Sequence, residues 1–505
     1  MTSITVYDGA TTIGGNKIYV EEKGKGVFLD FGMNFAKYGE FFEEFLSERS
    51  PRGIHDLIHL NLIPKLNIYR EDLVPGDLDV SSFPSLNVEA VLLSHAHLDH
   101  CGNIGLLDAR IPIIASPISI ALLKAMLDSS PSKVGSEIAY YSERILGEDP
   151  RILRSGKTDI GRNFVCIANY SEDLINFLSS SVKSTKKLEP GDVCRLNEHS
   201  TPFEIRAFEV DHSIYGANAY LLYSDTAIAY TGDFRLHGKN AEKSREFVRN
   251  AKDASILIIE GTRAEREDVN QSEDIVFRNC LKVVEESEDL VIADFSPRNF
   301  ERLETFLDIA KKVGRQLVVT AKDAYMLHAI ECADGVCRMK DMLIYNELRV
   351  TRNKWEDVVM DKWGDNYVDP ADISKEPEKY ILCFSFYDMK HLLDIKPSSG
   401  VYIYSSSEAF TEEQEFDFQR LYRWLEHFNF RIYGFEVVVV EGKKLRPRFI
   451  RGYHASGHAS KSDLRWVIET VDPDVIIPVH TENPAWFVEN FENVKVLKNC
   501  KSYEV

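Results

Sequence analysis

A chain of 505 residues with a hydrophobic fraction of 44% is too long for one ordinary core, so two or three globular domains are expected. No stretch approaches the roughly 20 apolar residues of a membrane helix, and the opening "MTSITVYDGATTIGG" has no basic-then-apolar leader, so neither a membrane span nor secretion is expected. The net charge of −20, from 80 acidic and 60 basic residues, speaks against a general basic surface that coats nucleic acid, but a nucleic-acid enzyme can take its positive field from metal ions and a local groove.

In chain order, "NKIYVEE", "GVFLDFG" and "VEAVLLS" read as strands broken at Gly24, Gly26 and Gly32. Between them, "AKYGEFFEEFLSER" and "RGIHDLIHLNLI" have helical spacing. His55 and His59 are four apart in the second, but no third donor follows at motif spacing, which makes the pair structural. Residues 111–195 mix strand and helix; "SPISIALLKAMLDSS" is the clearest helix, and "LSSSVKSTKKLEPGD" reads as a loop or small insertion. Strands resume with "FEIRAFEV", "ANAYLLYS", "TAIAYTGDF" and "ASILIIEG". From about residue 263 strands and helices alternate: "LVIADFS", "RNFERLETFLDIAKKVG", "QLVVTA", "DAYMLHAIECA", "EKYILCFSF", "MKHLLDI", "GVYIYSSS" and "EEQEFDFQRLYRWLEHFN". Continuous apolar strands alternating with helices mean a parallel sheet covered by helices. The tail returns to short elements, "FEVVVVE", "SDLRWVIETV" and "DVIIPVH". The eight cysteines, 101, 166, 194, 280, 332, 337, 383 and 500, form no CxxC pair and read as reduced, mostly buried thiols of a cytoplasmic protein.

The densest chemistry is "SHAHLDHCG" at 94–102, which puts three of the 14 histidines and one aspartate into six positions. If the strand ends at Ser94, His95 and His97 point the same way and can share one ion, while Asp99 and His100 lie in the next turn and face a second. Single donors follow three later strands: His212 after "AFEV", Asp233 after "AIAY" and His480 after "DVII". Separate strand ends, each with one donor, can assemble a dinuclear site at the rim of a sheet.

HxHxDH at 95–100, with Asp30, His212 and Asp233, resembles the metallo-β-lactamase fold. Glu260 in "IIEGTR", His458 in "HASGHAS" and His480 in "IPVHTE" resemble motifs A, B and C of its β-CASP branch, which comprises nucleases. The resemblance implies an α/β architecture: an αββα sandwich with an inserted β-CASP domain built on a helix-flanked parallel sheet. Residues 1–262 and 437–505 would form the sandwich and 263–436 the insert, with the active site in the cleft between them. It further implies two Zn²⁺ per chain, with Mn²⁺ the alternative. His95, His97 and His212 would hold one, Asp99, His100 and His480 the other, and Asp233 would bridge them. Asp99, Asp233, Glu260 and His458 would take part in catalysis, His458 as a proton donor oriented by Glu260. Asp30 would support the His-rich loop from behind. Ser456, Gly457, His458 and Ser460 would line a pocket for a substrate phosphate; His454 lies off the motif. Arg298, opening a helix after a strand, is a candidate phosphate contact or a surface arginine.

The histidine at motif C points to RNA, since DNA-directed members generally carry valine there. "SGHAS" is similar to ribonuclease J, although that group commonly reads "HGE" where this chain has "HTE", and its bacterial members have an extra C-terminal domain where this chain stops 25 residues after His480. An archaeal-like or divergent ribonuclease J relative fits better. The expectation is therefore a metal-dependent ribonuclease, exonuclease or endonuclease, of RNA processing or decay, with RNA as its partner, no membrane, and a homodimer among the admissible assemblies. The alternatives are a DNA-directed β-CASP nuclease, a hydrolase of a small substrate on the same fold, and a non-catalytic RNA-binding subunit. The 101–211 segment is longer than the fold needs and is a candidate partner-binding insertion.

Overall fold

The computed structural model describes residues 2–43, 46–131, 133–182, 186–266, 271–406, 412–440 and 444–505. Two sheets lie face to face. The larger has eight strands, in spatial order Val193–Arg195, Phe164–Cys166, Ile113–Ala115, Val88–Leu92, Lys25–Leu29, Lys17–Glu22, Thr2–Asp8 and Lys501–Glu504. The smaller has five: Glu204–Glu209, Asn218–Tyr223, Ala227–Tyr230, Ile256–Glu260 and Val475–Val479. The period-2 alternation of strand side chains decides which face each residue serves. In Lys25–Leu29, Val27 and Leu29 turn inward to a shared core with Tyr220, Leu222, Ile228, Ile258 and Ile477 of the opposite sheet, while Phe28 turns to the outer face. Helices Ala241–Asn250 and Lys461–Val471 cover the outside of the smaller sheet through Phe247, Val248, Leu464 and Val467. Pro117–Asp128 covers the larger sheet, with Ser116 accepting from Ser119 N–H as its N-cap and proline at the first turn. This is the expected αββα sandwich.

Within the segment between Glu260 and Lys461 the chain builds a second body. Its seven-stranded sheet runs Tyr367–Val368, Met342–Tyr345, Gln316–Val319, Tyr380–Leu382, Leu290–Asp294, Gly400–Tyr404 and Phe430–Tyr433, and every neighbouring pair is parallel. The two bodies meet along helix Pro117–Asp128, which is buried almost all round because Ala321–Asp334 packs on it; Tyr140 and Tyr325 donate to Asp128 at 2.6 and 2.7 Å. The hairpin Phe435–Val440/Lys444–Phe449 packs Phe435 and Phe449 against Phe418 and Tyr404, so the chain leaves the inserted sheet only after this hairpin.

Several local expectations are corrected. Over 36–49 helix is confined to Phe35–Gly39, with residues 44–45 outside the described set, and over 52–63 to His55–His59. Gly53 and Asn61, both at positive φ, flank that second turn and stop it from propagating. The expected loop at 178–192 holds strand Lys187–Glu189, the edge of a three-stranded sheet with Tyr140–Leu146 and Leu153–Gly161. That sheet is built wholly from the long 101–211 segment. Of the eight cysteines four are buried; Cys337 and Cys500 are exposed, and none is in a disulfide. No helix among the described residues is long and apolar enough to cross a membrane.

Candidate metal centre

The site lies at the C-terminal ends of six strands, the usual place for a ligand in sheets with parallel strands. His95 follows Val88–Leu92, Asp30 follows Lys25–Leu29, His212 follows Glu204–Glu209, Asp233 follows Ala227–Tyr230, and His480 follows Val475–Val479. Glu260 is the last residue of Ile256–Glu260. His97 stands at the N-cap of the one-turn helix Leu98–Cys101, so Asp99 and His100 project from its first turn. The loop is clamped closely: a Cβ on Gly32 would sit 1.7 Å from the Asp99 carbonyl oxygen, so only glycine allows this approach.

Three groups of donor atoms each lie within 4.8 Å of one another: His95, His97 and His212; Asp99, His100, Asp233 and His480; and Asp233, Glu260 and His458. Asp233 belongs to two of them. Its Oδ2 is 3.1 Å from His100 Nε2, 3.8 Å from His95 Nε2 and 3.9 Å from His480 Nε2. His95 Nε2 and His97 Nδ1 are 3.0 Å apart, and His212 Nε2 is 3.3 Å from His97 Nδ1. Buried polar atoms normally find partners, yet His100 Nε2, His480 Nε2 and Asp233 Oδ1 are buried without a hydrogen bond. Convergent, unspent donors of imidazole and carboxylate type fit a metal ion.

Electrostatics agrees for the first group. Burial pushes His95 and His97 well below the ordinary histidine range, and neighbouring imidazoles add to it. His212 is pushed down to about 4 by burial and then by His458. These rings are neutral and keep a lone pair. For His100 burial acts the same way but is outweighed by Asp233, Asp99 and Asp30, which raise it; a cation competes with that proton for Nε2.

The third group is different. Glu260 Oε1 accepts from Phe234 N–H (3.1 Å), Oε2 accepts from Thr262 N–H and Oγ–H (3.2 and 2.6 Å), and both oxygens lie 3.1–3.2 Å from His458 Nδ1. The carboxylate is fully spent, so this pair orients an imidazole rather than awaiting an ion. Burial pulls His458 down, but Glu260 and then Asp233 outweigh it and push it up to about 9.

Asp30, at φ 57, accepts from Ser94 N–H and Oγ–H (both 2.7 Å), from His100 Nδ1 (2.7 Å) and from Tyr230 OH (2.6 Å). It thereby fixes which nitrogen of His100 faces the site. Sequence reading missed Ser94, Tyr230 and Thr262; each adjoins or nearly adjoins a motif residue, which is the only signal they carried. In the proposed phosphate pocket the atoms are already engaged. Ser456 Oγ accepts His458 N–H (3.2 Å), Gly457 O accepts from His212 Nδ1 (2.7 Å), and Ser460 caps helix Lys461–Val471. His454 faces Ser405 O at 3.3 Å, and His55 stacks on His59 with Asp56 beside it, so neither joins the site.

A cavity of about 1390 Å³ opens between the two bodies, lined by Met33, Leu98 and Gly102 from one and Arg298, Lys322 and Tyr345 from the other. Its acids are largely committed: Glu347 and Glu356 bond Arg349, Asp323 bonds Thr320, and Asp388 bonds Ser385. Arg298, at φ 69, has no carboxylate within ion-pair distance among the described residues, and its Nε is buried without an acceptor.

Comparison with known proteins agrees with this arrangement. The sequence model of the metallo-beta-lactamase superfamily matches residues 67–136, and that of the "Zn-dependent metallo-hydrolase RNA specificity domain" matches 442–492. The chain is 21% identical to ribonuclease J of Pyrococcus abyssi, over 95% of this chain and 90% of that protein, and 21% identical to ribonuclease J of Methanocaldococcus jannaschii, over 94% and 90%. A solved structure of a protein of unknown function from Enterococcus faecalis superposes with a TM-score of 0.65 at 21% identity, covering 99% of both chains. The expected family resemblance, a metallo-β-lactamase fold with a β-CASP insertion and a ribonuclease J-like sequence, is borne out.

Proposed function

We propose that this chain is a metal-dependent ribonuclease that hydrolyses RNA phosphodiester bonds in the cleft between its two bodies. The observation that carries this reading is the convergence of three imidazoles, His95, His97 and His212, beside a second group, Asp99, His100, Asp233 and His480, in which His100 Nε2, Asp233 Oδ1 and His480 Nε2 are unspent, with a spent Glu260–His458 pair next to Asp233. His95, His97 and His212 would hold one Zn²⁺, Asp99, His100 and His480 the other, with Asp233 between; Mn²⁺ is the alternative. Such ions, when bound, lower the pKa of a water and neutralise charge on phosphate oxygens. The protein's own groups supply the rest. Glu260 holds His458 through Nδ1, which leaves Nε2–H to protonate the leaving oxygen. Arg298 brings an uncommitted guanidinium to the cavity wall, where a strand's phosphate can take it. A cavity of about 1390 Å³ exceeds the roughly 300–1,000 Å³ typical of small-molecule sites, which favours a polymer over a small substrate. The names of the archaeal relatives, both ribonuclease J, point to RNA rather than DNA. Residues 263–436 serve as the inserted domain in this reading, and the free thiols suit a cytoplasmic enzyme.

The test incubates purified protein carrying Zn²⁺ or Mn²⁺ with 5′-monophosphate, 5′-triphosphate and internally labelled RNA, and with single-stranded DNA. Mononucleotides released from 5′-monophosphate RNA mark a 5′→3′ exonuclease, and internal fragments an endonuclease. His97→Ala is the control for activity carried by the site. Failure to cut any RNA, with two metals confirmed per chain, overturns the reading.

A further inference from the structure

Arg235 lies two residues past Asp233, and its side chain is wholly buried. Its backbone N–H donates to Asp211 O at 2.8 Å and its Nε to Asp211 Oδ1 at 3.2 Å. The residue preceding His212 is thus fastened to the turn that carries Asp233. The remaining two nitrogens leave the sandwich. Nη2 reaches Glu301 Oε2 at 2.5 Å; Nη1 reaches Glu273 Oε1 and the Ser456 carbonyl, each at 3.2 Å. Glu273 and Glu301 belong to helices Glu273–Glu285 and Phe300–Val313 of the inserted body. Glu273 is shared with Arg302, whose Nε and Nη2 take its two oxygens at 3.0 Å each and whose Nη1 donates to Ser405 O (2.6 Å) and Tyr453 O (3.3 Å).

Five charged side chains, Asp211, Arg235, Glu273, Glu301 and Arg302, are therefore buried together, none more than 5% exposed. Stability does not explain such an arrangement: apolar side chains of similar volume would serve as well or better. Geometry does. A guanidinium offers five donors in a rigid plane, so each partner's direction is set by the others. Arg235 joins three parts with that plane: the Asp211–Asp233 rim, two helices of the inserted body, and the carbonyl two residues before His458. That carbonyl is also held by His237 Nε2 at 3.0 Å, so the segment is pinned from the sandwich side.

We propose that Arg235 is a positioning residue that transmits the seating of the inserted body, through Glu273 and Glu301, to the backbone at Ser456, and so sets the reach of His458 toward the leaving oxygen. This rests on His458 being the proton donor. A strand that shifts the inserted body on entering the cleft then adjusts the proton donor in the same movement.

The experiment compares two substrates. RNA leaves as an alkoxide and needs a proton; bis(4-nitrophenyl) phosphate leaves as a nitrophenolate and does not. The readout is the ratio of kcat for RNA to kcat for the nitrophenyl ester, with metal content measured alongside. Arg235→Lys keeps the charge but loses the fork; Glu301→Gln sits on the inserted body. Both are expected to lower the ratio by roughly tenfold or more, because misplacing a catalytic group by about 1 Å is enough to do so. They should leave KM for RNA and metal content in place, and His458→Ala should shift the ratio in the same direction. If His458→Ala lowers both substrates equally, the proton-donor reading fails. If His458→Ala shifts the ratio but neither other variant does, the role assigned to Arg235 is overturned. Should Arg235→Lys not fold, Glu301→Gln alone decides.

Discussion

Both bodies of this molecule gather carboxylates at the C-terminal ends of parallel strands, but they use them in opposite ways. On the sandwich, Asp233 leaves Oδ1 buried with no hydrogen bond, and His100 and His480 leave Nε2 in the same state. On the inserted sheet, Asp294 accepts from Tyr402 OH, Asp323 from Thr320 N–H and Oγ–H, and Asp388 from Ser385 N–H and Oγ–H. The last two are helix caps. The same topology therefore supplies a candidate metal site in one body and helix starts in the other. What separates them is whether the lone pairs are already taken, and residue type alone does not reveal that.

The largest test of this contrast replaces one carboxylate from each body. Asp233→Ala removes the carboxylate whose Oδ2 lies 3.8 Å from His95 Nε2 and 3.1 Å from His100 Nε2, and is expected to lose bound metal and cut RNA cleavage by at least ~10³-fold, the scale of several kcal/mol of lost metal stabilisation. Asp294→Asn, in a residue that burial pushes up to about 7, is expected to keep kcat and metal content within about twofold, a change of under ~0.5 kcal/mol. Metal analysis with single-turnover cleavage measures both. Equal losses in the two variants would erase the distinction.

A second test separates unspent from spent groups within the site itself. His458→Ala should retain metal but lose roughly 10²-fold in cleavage, as expected for removal of a general acid. Burial lowers this imidazole, yet Glu260 outweighs it and holds it protonated up to about pH 9. A donor with a raised pKa is competent below that value and fails as pH rises through it. Activity should therefore fall on the alkaline side near pH 9, and Glu260→Gln should move that limb to lower pH. A limb that stays put in Glu260→Gln removes Glu260 from the orienting role.

The extent to which sequence disclosed all this follows the same line. "HAHLDH" was legible because four donors fall within one strand end and one helical turn, so local geometry alone brings them together. His212, Asp233, Glu260, His458 and His480 were legible only through a resemblance that fixes their order, since nothing local connects residues hundreds of positions apart. Asp30 could be named but its hydrogen bonds could not: they come from Ser94 at the neighbouring strand end, from His100 in the helical turn after it, and from Tyr230, which reaches it across the inter-sheet core. Arg235 gave no signal, because its partners Glu273 and Glu301 are ordinary acidic residues of amphipathic helices until the two bodies close on them. The misread helix over 36–49 shows the limit of periodicity, which proposes a face without establishing that anything packs on it.

Arg298 sharpens the comparison from the other side, as a cation of the inserted body with no carboxylate within ion-pair distance among the described residues. Arg298→Ala should raise KM for RNA about tenfold, the lower end of a charge-assisted hydrogen bond, with kcat and metal content little changed. Titrating RNA at two salt concentrations checks it: the salt dependence of binding should weaken with the lost phosphate contact. An unchanged KM would return Arg298 to the cavity wall as a bystander.

The smallest effects lie in the pH dependence of stability, where two carboxylates of the inserted body are expected to act with opposite sign. For Glu273 burial opposes ionisation, but Arg302 and then Arg235 overcome it and hold the carboxyl down at about 2. Its folded pKa is below its unfolded value of about 4.3. Its stabilisation is therefore complete above about pH 4.3 and is lost as pH falls toward 2, amounting to a few kcal/mol at most. Asp294 is the reverse: burial raises it to about 7, so its neutral form suits the fold, and stability is lost as pH rises from about 4 toward 7. Chemical denaturation across pH 2.5–8 (roughly the span of both transitions) should show Glu273→Gln flattening the acid side and Asp294→Asn flattening the neutral side. A carboxylate that arginines hold ionised and one that burial keeps neutral thus leave different signatures without any metal or substrate being present, and coincident profiles for the two variants would mean that the buried arginines do not hold Glu273 ionised.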